Sequence, residues 1–301
     1  MKPVMKVIGV GGAGNHIVGE LFKAGINDCE LVAVNTDAMA LLEVKIPSKI
    51  LVGKSLTGGK GTGNDVSLAE RCIRYDVESL SQLLEKTDVV FLTCGMGSGT
   101  GSGVTPFLAE LAKSKGVFCI AIVTMPFKSE GRVYLDNAEK GLTNLKKFAD
   151  GVIVISNDRL LPLISDIPLG KAFQYTDKII ADLIHEFARV VTEHSTAALG
   201  IADLRSILHD GVTAMIGVGV SDNALDSVQK ALKNPLIDFD VAKVSGALIS
   251  IAGEVSSKDV DSIAGTVSMK INPDANILCG TQSDGSVKRG LIKTILLLTH
   301  D

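Results

Sequence analysis

The run TCGMGSGTGSG at residues 93–103 lies between the apolar stretch DVVFL at 88–92 and the segment VTPFLAELAKSKG at 104–116. The first flank has the pattern of a buried strand and the second that of a helix. Between them glycine alternates with Met96, Ser98, Thr100 and Ser102. Such a run removes side chains where a backbone must come close to something, and it turns the N–H groups of a loop and a helix N-terminus toward that object. A phosphate is the natural guest, and a flexible turn is the plain alternative.

The bulk composition narrows the class. A chain of 301 residues, 46% hydrophobic and 21% charged, has the material for one large or two ordinary soluble domains. Thirty Lys and Arg against 34 Asp and Glu leave a net charge of -4, which supplies no field for nucleic acid or an acidic membrane. Cys29, Cys72, Cys94, Cys119 and Cys279 are scattered, without a C-x-x-C pair, and read as buried free thiols of a reducing compartment. The start MKPVMKVIGVGG lacks the shape of a signal peptide, and no apolar run approaches a bilayer-spanning length, so a cytoplasmic protein is expected.

In chain order, residues 4–10 read as a strand, and Gly11-Gly12-Ala13-Gly14-Asn15 turns into a helix with Ile17, Val18, Leu21 and Phe22 at helical spacing. The strand at 31–34 is followed by Asn35-Thr36-Asp37, so a dinucleotide-binding domain competes at this point. Against it stands a second glycine loop at 57–64, after the strand pattern at 49–52, with the loop at 93–103 coming third. Three such loops at strand ends can surround a polyphosphate, whereas a dinucleotide needs chiefly the first. The G-x-x-x-x-G-K-[ST] pattern is missing, so Lys60 is not the lysine of a P-loop.

Strands at 117–124 and 151–155, with a helix between about 134 and 148, continue the alternation that implies a parallel sheet covered by helices on both faces. A helical pattern without Pro or Gly at 171–196 would span roughly 35–40 Å. The remainder reads as a smaller α+β domain: a short helix to His209, strands at 213–220 and 244–252, and helices at 224–232 and 258–269. Two last strands at 276–279 and 288–298 look like a hairpin around Ser283-Asp284-Gly285. The expected organisation is a nucleotide-binding domain at 1–170, a central helix and loop at 171–203, and an α+β domain at 204–301.

With these segments in view, the chain resembles the tubulin/FtsZ family, its FtsZ branch more than tubulin. Gly95-Met96-Gly97-Ser98-Gly99-Thr100-Gly101 looks like the family's GGGTGTG/S phosphate loop. GGAGN at Gly11, NTDA at Asn35, PFKSEGR at Pro126, NDRLL at Asn157 and PDANILCG at Pro273 match in the same order over essentially the whole chain.

The resemblance implies a Rossmann-like GTP-binding domain and GTP or GDP as ligand. Mg²⁺ would be held by phosphate oxygens and water rather than by a protein cage. It puts Gly11, Gly12, Ala13, Gly61, Gly95, Met96, Gly97, Ser98, Gly99, Thr100 and Gly101 around the phosphates. Asn15, Asn157 and Asp177 match positions that contact guanine or the ribose; a carboxylate accepts both the ring N–H and the exocyclic amine of guanine. Phe173, four residues before Asp177 and otherwise an ordinary core residue, matches an aromatic against the base. Glu130 matches a ribose contact, and Pro126 opens the same motif. The family usually has a basic residue where Tyr134 stands, and its GAGANP becomes Gly61-Thr62-Gly63-Asn64-Asp65.

In the family, subunits join head to tail and the loop after the central helix of one completes the pocket of the next. That loop reads roughly NLDFADV; here it is Ala198-Leu199-Gly200-Ile201-Ala202-Asp203-Leu204. One acidic residue of two remains, Asp203, either a catalytic group or the N-cap of a helix beginning at Leu204. The implied function is GTP-dependent polymerisation with slow hydrolysis, in prokaryotic division or cell shape. The alternative is a weakly hydrolysing or non-polymerising GTP-binding regulator of another FtsZ. FtsZ proteins usually continue into a linker and a membrane-tethering peptide. With the chain stopping at Asp301, no direct membrane binding is expected. The partners expected are further copies of itself or another member of the family. The five histidines form no constellation.

Overall fold

The computed structural model describes residues 3–164, 169–192, 200–282 and 287–300, with the main chain alone at 161–164, 169–170, 172 and 190–192. It divides into two compact units, 1–188 and 189–301.

The first unit is built on strands β1 (Met5–Val10), β2 (Glu30–Asn35), β3 (Ser48–Leu51), β4 (Val89–Gly95), β5 (Phe118–Met125) and β6 (Gly151–Ser156). They lie in the order β3-β2-β1-β4-β5-β6, every neighbouring pair parallel. The unbroken apolar runs follow from that architecture, since a parallel strand is covered by helices on both faces and has no wet side to encode.

The helices are α1 (Gly11–Lys23), α2 (Ala38–Glu43), α3 (Lys54–Thr57), α4 (Val66–Tyr75), α5 (Val77–Leu83), α6 (Gly99–Ser114), α7 (Arg132–Leu145), α8 (Asn157–Ile164) and α9 (Leu169–Thr192). On one face α4 to α7 bury Ile73, Leu80, Val104, Leu108 and Leu145 with Ile8, Val34, Leu92 and Ala121 of the strands. On the other α1 crosses β1 and β4 at very short range. A Cβ on Gly9 would sit 2.1 Å from the Gly14 carbonyl oxygen, and one on Gly14 would sit 2.3 Å from that of Thr93. Ile17, Val18 and Leu21 are buried as their spacing requires, but Phe22, on the same spacing, is 47% exposed at the edge of the stripe. Residues 66–83, given no element above, form α4 and α5; Asp65 starts α4 by accepting from the Leu68 N–H at 2.9 Å.

The second unit contains α10 (Ile201–Ile207), β7 (Val212–Ser221), α11 (Ala224–Leu232), β8 (Gly246–Gly253), α12 (Ser257–Ser268), β9 (Asn276–Gln282) and β10 (Ile292–His300). Its strand order is β7-β10-β8-β9. The expected hairpin of the last two strands does not form. β9 pairs parallel with β8, and β10 lies antiparallel between β7 and β8. Burial explains the exchange: Ile295 to Leu298 of β10 are all buried and belong at the centre, whereas β9 is largely half-buried and tolerates the edge. The proposed turn at Ser283 to Gly285 lies outside the described residues, as do Ala198, Leu199 and the expected end of the long helix at 193–196.

No helix among the described residues is long and apolar enough to cross a membrane. The cysteines are free; Cys72, Cys94 and Cys119 are buried, while Cys29 and Cys279 are half-buried rather than fully so. Burial pushes the Cys94 thiol up to about 12, which keeps it protonated and unreactive.

Candidate functional site

In the first unit β2 and β3 extend to one side of β1, and β4, β5 and β6 to the other. The carboxyl ends of β1 and β4 therefore flank the point where the winding reverses, the place where open α/β sheets form a crevice. Both strands feed helix N-termini there. α1 begins at Gly11, in the left-handed region at φ +71°, and no side chain caps it. α6 begins after Ser98, whose Oγ accepts from the Gly101 N–H at 3.2 Å, while Ser102 Oγ accepts from the Gly97 N–H at 2.8 Å.

The two N-termini touch. A Cβ on Gly11 would lie 3.4 Å from the Gly101 nitrogen, and one on Gly95 would lie 3.0 Å from the Cβ of Ala13. Gly101 is closed in further, its Cβ position 2.2 Å from the Gly95 carbonyl oxygen. Each helix end carries the equivalent of about half a positive charge, so two together, lined by backbone N–H groups, form an anion site without any lysine or arginine.

The second glycine loop closes against this pair. A Cβ on Gly99 would be 2.4 Å from Thr62 Oγ1 and 2.9 Å from the Asp65 nitrogen. The Gly61 N–H donates to the Thr36 carbonyl at 3.1 Å. The buried hydroxyls of Thr36 and Thr100 meet at 2.8 Å and tie the end of β2 to the first turn of α6. From α7, Tyr134 Oη accepts from Asn64 Nδ2 at 2.5 Å, and Asn137 Nδ2 donates to the Asn64 carbonyl at 3.3 Å and the Gly97 carbonyl at 3.2 Å. Tyr134 thus braces the second loop where the family usually has a base. Arg132 lies 3.7 Å from Asp136 on the exposed side of α7.

At the other end of the crevice, α1, the loop at 126–130, α8 and α9 are linked by contacts. Phe127 packs edge-on to Phe173 at 5.8 Å between ring centroids, and the Lys128 N–H donates to Asp158 Oδ1 at 3.4 Å. Phe173 remains 43% exposed, an aromatic edge with room beside it. His16 Nδ1 is 3.6 Å from Asp177 Oδ2. Asn157 is buried, and its Oδ1 has no hydrogen-bond partner. A buried amide oxygen without a donor costs about 1–3 kcal/mol, which a ligand bringing N–H groups would recover.

Two expected contacts are already engaged within the protein. Asn15 is buried, donates to the Gly9 carbonyl at 2.8 Å and the Val34 carbonyl at 3.3 Å, and accepts from Asn35 Nδ2 at 2.8 Å. It braces the first loop from beneath. Glu130 accepts from the Phe127 N–H at 2.7 Å and so shapes the loop that begins at the buried Pro126.

In the second unit, Asp203 is not an N-cap: α10 starts at Ile201, Gly200 holds the cap position, and Asp203 in the first turn accepts from the Gly200 N–H at 2.8 Å. Among the described residues no cluster of His, Cys, Asp and Glu could hold a metal ion.

His16, Phe127 and the Thr36–Thr100 pair join the site without a role read from the sequence. For His16 the signal was available, because Gly12 and residue 16 are one turn apart and both exposed on α1. Nothing in the sequence brings Thr36 beside Thr100.

Comparison with known proteins agrees with this geometry. Residues 4–165 match the profile described as the Tubulin/FtsZ family, GTPase domain, and residues 212–300 match that of the FtsZ family, C-terminal domain. "Cell division protein FtsZ 1" of Thermococcus kodakarensis is 39% identical over 297 residues, 97% of this chain and 79% of that protein. "Cell division protein FtsZ" of Methanothermobacter thermautotrophicus is 40% identical over 296 residues, 97% of this chain and 78% of its own length. A solved structure described as an empty FtsZ dimer from M. jannaschii superposes with a TM-score of 0.92 at 34% identity, covering 99% of this chain and 88% of that one. With its three glycine loops gathered at one crevice and both halves matched in order, the chain belongs to the tubulin/FtsZ family of GTPases.

Proposed function

We propose that the chain binds GTP in the crevice of its first unit, assembles head to tail with further copies of itself, and hydrolyses GTP slowly between successive subunits, in division or shaping of a prokaryotic cell. The observation that carries the reading is the pair of abutting helix N-termini at Gly11 and Gly99, closed by the second loop at Gly61 to Asp65.

In this reading the loops Gly11 to Ala13 and Gly95 to Gly101 wrap the phosphates, with the N–H groups of Met96, Gly97 and Gly101 spent on Thr124, Ser102 and Ser98 to shape the third loop, and Gly61 and its neighbours face the terminal phosphate. Mg²⁺ would be held by phosphate oxygens and water, because that ion keeps much of its hydration and is usually bound through the phosphates of a nucleotide. Asn157 and Asp177 accept the donors of guanine, Phe173 and Phe127 wall the base, and Glu130 with Pro126 borders the ribose. Asn15 supports this wall through the network that fixes α1. Residues 171–203 serve as the connecting segment between a GTP-binding domain and the domain at 204–301.

Asp203 is the acidic residue offered to a neighbouring subunit's nucleotide. With Gly200 bringing no carboxylate, one water-positioning group is missing, and the rate falls on the order of 10²-fold. The engagement of Asp203 by the Gly200 N–H also suits a second reading, a GTP-binding regulator that caps or joins filaments of another family member.

Phosphate release and pelleting with GTP, for wild type and Asp203→Ala together, test both. Filaments with slow turnover that Asp203→Ala abolishes support the first reading. Rapid turnover would sink the claim of slow hydrolysis, and GTP binding without sedimenting polymer would favour the regulator.

A further inference from the structure

His16 stands in the second turn of α1 with Nδ1 3.6 Å from Asp177 Oδ2; its side chain is 65% exposed and that of Asp177 12%. A carboxylate so far removed from water needs donors to hold its charge and its orientation. The Asp177 carboxylate beside it raises the imidazole above its ordinary value of 6.5, burial opposes that rise, Glu43 adds to it and Lys23 lowers it. Both the imidazolium and the Nδ1–H tautomer of the neutral ring carry a proton that can face Asp177, the imidazolium with the stronger attraction, as the raised value requires.

Each carboxylate oxygen has two lone pairs. A donor on one side of Oδ2 therefore leaves Oδ1 and the rest of Oδ2 open, and it stops the group from rotating. We propose that His16 is a positioning residue that sets base specificity: its Nδ1–H orients Asp177 so that both oxygens meet the ring N–H and the exocyclic amine of guanine together. The assignment rests on the proposed role of Asp177 in base recognition. It gives an exposed histidine on a helix face a defined task, acting through a nearly buried partner.

Two measurements test it. In the nucleotide-free protein, NMR titration of His16 in wild type and Asp177→Asn reads the pair directly; the histidine of the variant should titrate lower. Equilibrium binding of GTP and of inosine triphosphate, which lacks the exocyclic amine, reads specificity.

His16→Ala should lower the preference for GTP over inosine triphosphate at least about tenfold. His16→Asn, whose amide nitrogen falls near the place of Nδ1, should restore it, and His16→Gln, whose amide reaches toward Nε2, should not. Unchanged circular dichroism is expected for all three at so exposed a position. A preference unchanged in His16→Ala, or identical His16 titration in wild type and Asp177→Asn, would overturn the assignment while GTP binding stands. A wild-type protein that binds neither nucleotide would overturn the proposed function as well, so the two failures are distinguishable.

Discussion

Both units rely on glycines that let backbones meet at less than side-chain distance, yet only the first forms a crevice. In the second, a Cβ on Gly217 would sit 2.1 Å from the Ala231 carbonyl oxygen and one on Gly219 would sit 2.0 Å from that of Ser227, which lets α11 settle onto β7. In the first, a Cβ on Gly101 would sit 2.2 Å from the Gly95 carbonyl oxygen. The contacts are alike and their settings differ. Gly217 and Gly219 lie inside a strand paired along its length with β10, whereas Gly95 to Gly101 lead into a helix whose first N–H groups have no intrahelical acceptor. A dense glycine pattern therefore marks a binding site where it uncovers donors that the fold leaves free. Inside a paired strand, it marks packing.

The largest effects should separate these roles. Gly101→Ala drives a methyl group into the wall between the third loop and α6 and should reduce GTP affinity by about 100-fold or more, read by equilibrium binding. Gly219→Ala forces α11 off β7 and should cost about 2–3 kcal/mol of stability in the second unit while GTP affinity of the folded protein holds. If Gly219→Ala weakened nucleotide binding as much as Gly101→Ala does, the contrast between uncovered donors and packing would fail.

A smaller pair of substitutions sharpens the same contrast. Thr36 and Thr100 form a buried hydroxyl pair at 2.8 Å in the first unit, and Ser227 and Thr294 form one at 2.7 Å in the second. Thr36→Val takes from the Thr100 hydroxyl its partner at 2.8 Å, whereas after Thr294→Val the Ser227 hydroxyl still donates to the Ala224 carbonyl at 2.8 Å; each should cost about 1 kcal/mol in urea unfolding, Thr294→Val the less. Thr36→Val should also weaken GTP binding, because Thr100 lies in the first turn of α6; Thr294→Val should leave it alone. Equal effects on binding would place the hydroxyl pair of the first unit in packing as well.

How far the sequence spoke depended on the range of the interaction. The six strands of the first unit, the three loops at strand ends and the family motifs are local and legible, whereas α4 and α5 at 66–83 are not. Pairing in the second unit was not: adjacency in the chain suggested a hairpin of β9 and β10, but the apolar Ile295 to Leu298 took a central position that only the sum of burial decides. At the candidate site, glycine and asparagine positions could be read from motifs, while their hydrogen-bond partners could not. Asn15 matches a ligand contact in the sequence, and Gly9 of β1 with Val34 and Asn35 of β2 occupy its amide. His16 looked idle until α9 brought Asp177 beside it.

The smallest expected effect, pH dependence, runs in opposite directions in the two units. In the second, Lys230 at 2.7 Å and Ser221 at 2.6 Å hold Asp226 below its ordinary value of 3.8, and the Ser256 hydroxyl and N–H do the same for Asp259. A depressed carboxylate contributes stability that is fully present above 3.8 and is lost as pH falls through its lowered value. His16 is raised, so its contribution is fully present below 6.5 and is lost as pH rises through the raised value. Its exposure keeps that contribution small. Between pH 5 and 8, amide exchange in α1 should therefore quicken slightly more in wild type than in His16→Asn, beyond the intrinsic rise, while α11 and α12 show no such difference. Below about pH 4 the second unit should lose protection first in wild type compared with itself at neutral pH, and Asp226→Asn with Asp259→Asn should flatten that loss. Acid sensitivity confined to α1, with α11 and α12 indifferent, would reverse the assignment of charge-paired caps to the second unit and of the histidine pair to the first.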